Sequence, residues 1–389
     1  MYAYGKNITG LGMLDFMLRP KTWAMNRLQH KFLNHFSKNL HHKRYSSLFS
    51  KISRSFVGAY PYSIKLEVND YCTLNCKMCY VQNKKQELPL SQIKNLLNQI
   101  KGYKIRLEIL GGEPLLREDI TQIISYAKKE AKVPFITLYT NGINITEQLA
   151  GELKKAGLDG IIVSLISHQA EVHDSFTGTP GAWKKTIDGI GHCLKAGIET
   201  YTFTAIHQDN YKDYMSIYSF VKDQLKAHAL FYQYIPQIKN DPLVIDKKTW
   251  NEIKRQIMYE LNPVHAKFVR DFYLLTGNAC SGGNFVFTVK VDGSVQPCPF
   301  VDNIPLGNIK KDSFWKIIRN RYKGTQLKNF KSTPEECKSC TYQSVCGGGC
   351  KAGNDKLNGD YCSKDHRCMG PYAEPIKPEK VIDNVPSFF

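Results

Sequence analysis

No apolar run in this chain approaches the roughly 18 residues needed to span a bilayer, and no short apolar segment ends in a small-residue cleavage site. Neither an integral membrane protein nor a secreted one is expected, and the location read from the sequence is cytoplasmic. Acidic residues are almost missing from the first 60 positions, where Asp15 stands against ten Lys and Arg. That stretch carries +9 of the total +18, so half of the charge excess sits in about a sixth of the chain. Internal repeats and low-complexity tracts are also lacking. What remains is ordinary: 42% hydrophobic and 23% charged residues over 389 positions exclude wholesale disorder and suffice for two or three domains.

One feature is far from ordinary. Twelve cysteines occur in a chain with no export signal. A reducing cytosol keeps thiols free, so dense cysteine at short spacings there points to metal rather than to disulfides.

The chain divides by pattern. Residues 1–60 form a basic segment in which Met25, Leu28, Phe32, Phe36 and Leu40 recur every three or four positions, predicting an amphipathic helix with a basic face. Residues 61–240 alternate short strands with helices. The strands are expected at Ile64–Val68, Leu107–Leu110, Phe135–Tyr139, Gly160–Leu165, Tyr201–Ala205 and Leu230–Gln233. Helices are expected at Ser91–Ile100 (Ser91 as N-cap), Glu118–Lys129, Thr146–Ala156, Trp183–Ala196 and Tyr211–Lys226. Gly157 and Gly197 stand where C-cap glycines belong. Six strand–helix repeats predict an α/β fold with a parallel sheet, open or curled into a partial barrel, with its chemistry at the C-terminal strand ends. Residues 241–279 read as a helical bridge and 280–370 as a small cysteine-rich domain with a hairpin at Asp292-Gly293. Residues 371–389, rich in proline, read as an extended tail.

Cys72, Cys76 and Cys79 follow the first strand directly. Three thiolates within eight residues can wrap one corner of a cluster and leave one iron without a protein ligand, and thiolate suits iron–sulfur clusters and zinc alike. This triplet, with its spacings of three and two residues, resembles the signature of the radical S-adenosylmethionine (SAM) superfamily. Gly111-Gly112-Glu113-Pro114 after the second strand is similar to the family's GGE motif. Thr140-Asn141-Gly142 follows the third strand, and Ser164 ends the fourth. The resemblance implies a partial (β/α)6 TIM-like barrel and a [4Fe–4S] cluster on Cys72, Cys76 and Cys79. It also implies SAM held near Gly111, Gly112, Glu113, Asn141 and Ser164. The sequence departs from many relatives at Ile166 and Ser167, where they carry Asp-Gly, and at Thr177, where they often carry Arg.

The C-terminal cysteines resemble the SPASM extension of these enzymes, which binds two auxiliary [4Fe–4S] clusters. Position by position, the resemblance gives Cys280, Cys298 and Cys350 to the first. It gives Cys337, Cys340, Cys346 and Cys368 to the second, with Cys362 as an alternative ligand at either. Without the resemblance, Cys337, Cys340, Cys346 and Cys350 also read as a structural zinc knuckle. Cys193 lies in the Trp183–Ala196 helix and reads as a core thiol. His41-His42 reads as a solvated pair at a helix end. His207, Glu67 and Gln233 lie at barrel positions that could face an active site, although each reads first as structural.

The resemblance implies an enzyme that cleaves SAM to a 5′-deoxyadenosyl radical, fed by a reductant such as flavodoxin or ferredoxin. The main expectation is hydrogen abstraction from a peptide or protein, leading to oxidation or crosslinking. The alternative is the same chemistry on a lipid, sugar or tetrapyrrole, with residues 1–60 touching an anionic membrane surface. No winged-helix leader-binding module is recognisable, and the basic charge is not matched by any nucleic-acid-binding fold, so nucleic acid is disfavoured.

Overall fold

The computed structural model describes residues 61–81, 84–261 and 280–386. The basic helix expected around Met25–Leu40, the His41-His42 pair and the later part of the bridge, 262–279, lie outside the described residues. The described chain forms two compact units. One comprises Ser63–Ile245 with Val286–Leu327; the other comprises the described residues within Asp246–Phe285 and Lys328–Phe389, with Pro61 and Tyr62. Among the described residues no helix is long and apolar enough to cross a membrane.

In the first unit the strands are β1 (Ser63–Glu67), β2 (Arg106–Leu110), β3 (Ile136–Thr140), β4 (Gly160–Ser164), β5 (Glu199–Ile206) and β6 (His228–Gln233). Between them run α1 (Leu90–Ile100), α2 (Ile120–Ser125), α3 (Glu147–Ala156), α4 (Ala170–Thr177), α5 (Ala182–Lys195) and, after β5, α6 (Tyr214–Ser219). Every neighbouring pair from β1 to β6 is parallel. The sheet continues on the other side of β1 with β7 (Val286–Val289), β8 (Ser294–Gln296) and β9 (Gly307–Asn308), in the order β6-β5-β4-β3-β2-β1-β7-β8-β9. Its two edges stay apart in this order, so it is an open, partial barrel.

Side chains alternate across each strand. Ile64, Leu66, Leu107, Ile109, Ile136, Leu138, Ile161 and Val163 are fully buried. Helix α1 adds Ile93, Leu96, Leu97 and Ile100 to the core, each side chain contributing about 1.5–3 kcal/mol through burial. Thr146 caps α3 by accepting from Leu149 N–H (3.1 Å), and Gly157 ends it with φ of +100°. Cys193 is fully buried in α5, and burial pushes its thiol up to about 12.

Four elements differ from the sequence expectations. Helix α1 starts at Leu90 with Pro89 as its cap residue, so Ser91 lies inside the first turn. Helix α4 is an addition to the expected set. The hairpin at Asp292-Gly293 forms, with Gly293 at φ +84°, but β7 pairs in parallel with β1 and so extends the barrel sheet. A hairpin signal is local and carries no information about which strand edge receives it. Finally, the proline-rich tail contains the short helix Val381–Asn384, with Val381, Ile382 and Val385 buried.

Candidate functional site

The loops after β1, β2 and β3 converge. The cysteine loop is tied to the end of α4, where Asn75 N–H donates to Thr177 O and Lys77 N–H to Phe176 O, both at 3.0 Å. Its other side is laced to the glycine motif: Gly112 N–H donates to Asn69 O (2.9 Å) and Glu113 N–H to Tyr71 O (2.8 Å). The approach is close enough to require glycine. A Cβ on Gly111 would lie 2.4 Å from Asn69 O, and one on Gly112 would lie 2.1 Å from Tyr71 O.

Glu113 joins the second and third loops. Its carboxylate is 1% exposed and accepts from Leu115 N–H (3.0 Å), the Thr140 hydroxyl (2.7 Å) and Asn141 N–H (2.8 Å). Burial pushes its pKa up in spite of these donors. Asn141 Nδ2 lies 3.6 Å from Cys72 Sγ, so this chain of bonds ends at the first cysteine. Ser164 ends β4, half-buried. At the departures from the family pattern, Ser167 is buried and its carbonyl accepts from Trp183 Nε1 (3.2 Å), while Thr177 is buried at the end of α4.

Cys72 and Cys76 are half-buried and Cys79 is exposed. Burial, with the neighbouring Cys72 and Cys79, pushes the Cys76 thiol up to about 12. Three thiolates on one eight-residue loop are sustained by a cation, and iron supplies one. The donor set fits an iron–sulfur cluster.

The barrel interior carries charge that the strand assignments do not anticipate. Lys65 on β1 pairs with Glu108 on β2 (2.9 Å), which also accepts from Tyr139 OH (3.2 Å) and the Ser63 hydroxyl. Burial would raise Glu108, but Lys65 and Ser63 hold its pKa below the usual value. Beside it, Lys290 donates to Glu67 (3.0 Å), pairs with Asp302 (2.9 Å) and lies over the Tyr80 ring. Burial pushes Glu67 up to about 7. Phe203 and Tyr232 stack at 4.7 Å between ring centroids. The sequence signal is there: Ser63, Lys65 and Glu67 alternate with apolar residues in one strand. His207 does not join this set. It stacks on Phe176 (4.3 Å) in the core, and burial holds it down to about 4.

In the second unit Cys337, Cys340, Cys346 and Cys368 line one cavity with Tyr342, Lys364 and Tyr372. Burial pushes the Cys337 thiol up to about 11 and that of Cys346 to about 12. Four thiols around one cavity are the donor set that an iron–sulfur cluster takes. Cys362 does not line it; its Sγ sits against the Ser332 hydroxyl (2.6 Å) and Asn329 O (3.1 Å). Cys280 and Cys350 belong to this unit, whereas Cys298 follows β8 in the barrel unit. There burial pushes the Tyr80 hydroxyl well up, and Glu67, Cys79 and Cys298 add to the effect. Among the described residues, no three His, Cys, Asp or Glu converge tightly enough to hold a single metal ion. Sequence reasoning missed Asp365 and Arg367, a buried pair beside Cys350. Their only signal is two charges next to Cys368.

Comparison with known proteins agrees with this geometry. Residues 66–221 match the model of the radical SAM superfamily, and residues 280–341 match SPASM, an iron–sulfur cluster-binding domain. An AdoMet-dependent heme synthase of Methanosarcina barkeri is 25% identical over 343 residues, covering 79% of this chain and 96% of that protein. An Fe-coproporphyrin III synthase of the same organism is 23% identical, covering 76% and 85%. The fold is similar to that of Streptococcus suis SuiB bound to S-adenosylmethionine, with a TM-score of 0.64, 16% identity, and coverage of 88% and 87%. Triplet, glycine motif and the first of the C-terminal cysteines thus fall in chain order within two matched domains. The chain belongs to the radical SAM superfamily, as a SPASM-domain enzyme that uses SAM with a [4Fe–4S] cluster and auxiliary clusters.

Proposed function

We propose that this enzyme acts on a tetrapyrrole that carries carboxylate side chains. The observation that carries the reading is the match to proteins named for heme and Fe-coproporphyrin III synthesis, which extends over most of their length. The peptide or protein substrate favoured by the sequence loses ground, since likeness to the peptide-binding SuiB is one of fold. The barrel interior adds support: Tyr139, Phe203 and Tyr232 offer aromatic faces to a planar macrocycle, and Lys65 and Lys290 offer cations to its carboxylates.

In this reading Cys72, Cys76 and Cys79 hold the cluster that binds SAM, and Gly111–Glu113, Asn141 and Ser164 border the SAM site. Bound there, the cluster and SAM supply a 5′-deoxyadenosyl radical for hydrogen abstraction. Glu113 fixes the loops of that site through three accepted bonds, and Asn141 steadies the Cys72 sulfur. Lys65 and Lys290, each anchored by a carboxylate, orient the substrate. Cys337, Cys340, Cys346 and Cys368 hold one auxiliary cluster; Cys280 and Cys350 contribute to the other. The electron comes from a reductant of flavodoxin or ferredoxin type.

The test is anaerobic turnover with SAM, dithionite and iron coproporphyrin III, following 5′-deoxyadenosine and the mass of the tetrapyrrole. Deoxyadenosine that rises with the tetrapyrrole, together with a changed mass, is expected. Equal deoxyadenosine with and without it, and an unaltered macrocycle, would overturn the reading.

A further inference from the structure

We propose that Arg367, clamped by Asp365, is a positioning residue that holds the Cys350 sulfur by a hydrogen bond and raises the reduction potential of the auxiliary cluster which Cys350 would help to hold. The inference rests on Cys350 being a cluster ligand, and the variants named below separate the two.

Cys350 is the cap residue of the helix Lys351–Asn358, and its Sγ accepts from Gly353 N–H at 3.4 Å. Its own N–H donates to Asp365 Oδ2 at 2.9 Å. Asp365 in turn grips Arg367: Oδ1 accepts from the Arg367 backbone N–H (3.0 Å) and Nε (2.9 Å), and Oδ2 from Nη2 (2.8 Å). Asp365 is 1% exposed and Arg367 4% exposed, so the guanidinium plane is fixed in a dry setting. The Trp250 ring lies on it, 5.8 Å from Cζ to the ring centroid. From that position the guanidinium reaches the Cys350 sulfur. The backbone is shaped for this approach. Gly349 has φ of +78°, and a Cβ there would lie 2.4 Å from Asp365 Oδ2.

Charge points the same way. Lys351 is also buried, at 2% exposed, with its Nζ donating to the neutral Ser332 carbonyl (2.6 Å). A buried cation without an anion costs several kcal/mol, and Asp365 can balance only one of Arg367 and Lys351. An anionic cluster at Cys350 would balance the other. Donors and positive charge at a cluster sulfur favour the reduced, more negative state and so raise the potential.

The test uses the anaerobically reconstituted full chain and EPR-monitored redox titration, with iron and sulfide per chain as the control. In R367Q, iron content should hold while one auxiliary midpoint shifts to more negative potential and the other clusters keep theirs. R367K, which keeps the charge but loses the fork, should shift the same midpoint by less. Native midpoints in an iron-replete R367Q overturn the proposal. If R367Q sheds iron, the test passes to R367K, and native midpoints there reduce Arg367 to a brace and overturn it equally. C350A tests the underlying reading: iron should fall by about four per chain, and undiminished iron removes Cys350 as a ligand whatever Arg367 does.

Discussion

Replacing Glu113 by Gln isolates one bond in the site. The wild-type carboxylate accepts three donors, two on Oε1 (Leu115 N–H and the Thr140 hydroxyl) and one on Oε2 (Asn141 N–H). Glutamine has a single carbonyl oxygen. Placed at Oε1 it keeps two donors, and its NH2 group then faces the Asn141 N–H. A buried donor left without an acceptor costs about 1–3 kcal/mol. The two remaining bonds also lose their charge assistance. Against this, glutamine relieves the burial that raises the Glu113 pKa, so a net loss of roughly 1–3 kcal/mol is expected. That corresponds to a Tm lower by about 2–4 °C for each kcal/mol in a unit of this size. E113A orphans all three donors and should lose about twice as much or more. Because Asn141 Nδ2 lies beside Cys72 Sγ, E113Q should also slow SAM cleavage roughly tenfold or more, as small misplacements do. Calorimetry and 5′-deoxyadenosine assays on anaerobic protein measure both. An E113Q protein that melts and turns over like the wild type, with E113A no worse, would refute the reasoning.

Further outcomes follow from single residues. G112A places a Cβ 2.1 Å from a backbone oxygen; it should cost about 1–3 kcal/mol and weaken SAM binding, read by equilibrium dialysis. C368S should lose about four irons per chain while C362S keeps them, since Cys368 lines the cavity and Cys362 does not; equal losses would contradict the placement. His173 and His207 are each held down to about 4 by burial. The folded protein therefore resists their protonation, and each contributes stability that is complete above the usual 6.5 and is lost as pH falls from there toward 4. The contribution is on the order of 3 kcal/mol apiece. Urea unfolding should show an acid slope of this sign, to which His366, also held down to about 4 by burial, adds, and H207F should lessen it; an unchanged slope would sink the assignment.

The barrel is legible in the sequence because its information is local. Apolar alternation marks a strand, 3.6-residue spacing marks a helix, and the cysteines and glycines of the site lie in loops directly after strands. Partners distant in sequence are less legible. The Asp292-Gly293 turn announces a hairpin, yet nothing in Val286–Val289 says that it pairs with Ser63–Leu66. That pairing draws β8 (Ser294–Gln296), and Cys298 after it, into the barrel unit, whereas the family resemblance groups Cys298 with Cys280 and Cys350.

The tail reads as extended because its prolines outweigh Val381, Ile382 and Val385, an apolar set at helical spacing. Asp365 and Arg367 look like solvated charges, since sequence gives no measure of burial. Substrate is the least legible property. The lumen residues Lys65, Glu108, Tyr139, Phe203 and Tyr232 come from five different strands, with Lys290 following β7, and meet only in the folded sheet.

In the proposed function, Cys72, Cys76 and Cys79 carry a cluster with one iron open to SAM. Its most direct test is analysis of anaerobically purified protein for iron, sulfide and zinc, with EPR of the reduced protein before and after SAM is added. The account predicts about twelve irons with matching sulfide per chain, and a [4Fe–4S] signal that SAM perturbs in the wild type but not in a C72A/C76A/C79A variant. Stoichiometric zinc without sulfide, or a reduced spectrum indifferent to SAM, would contradict it.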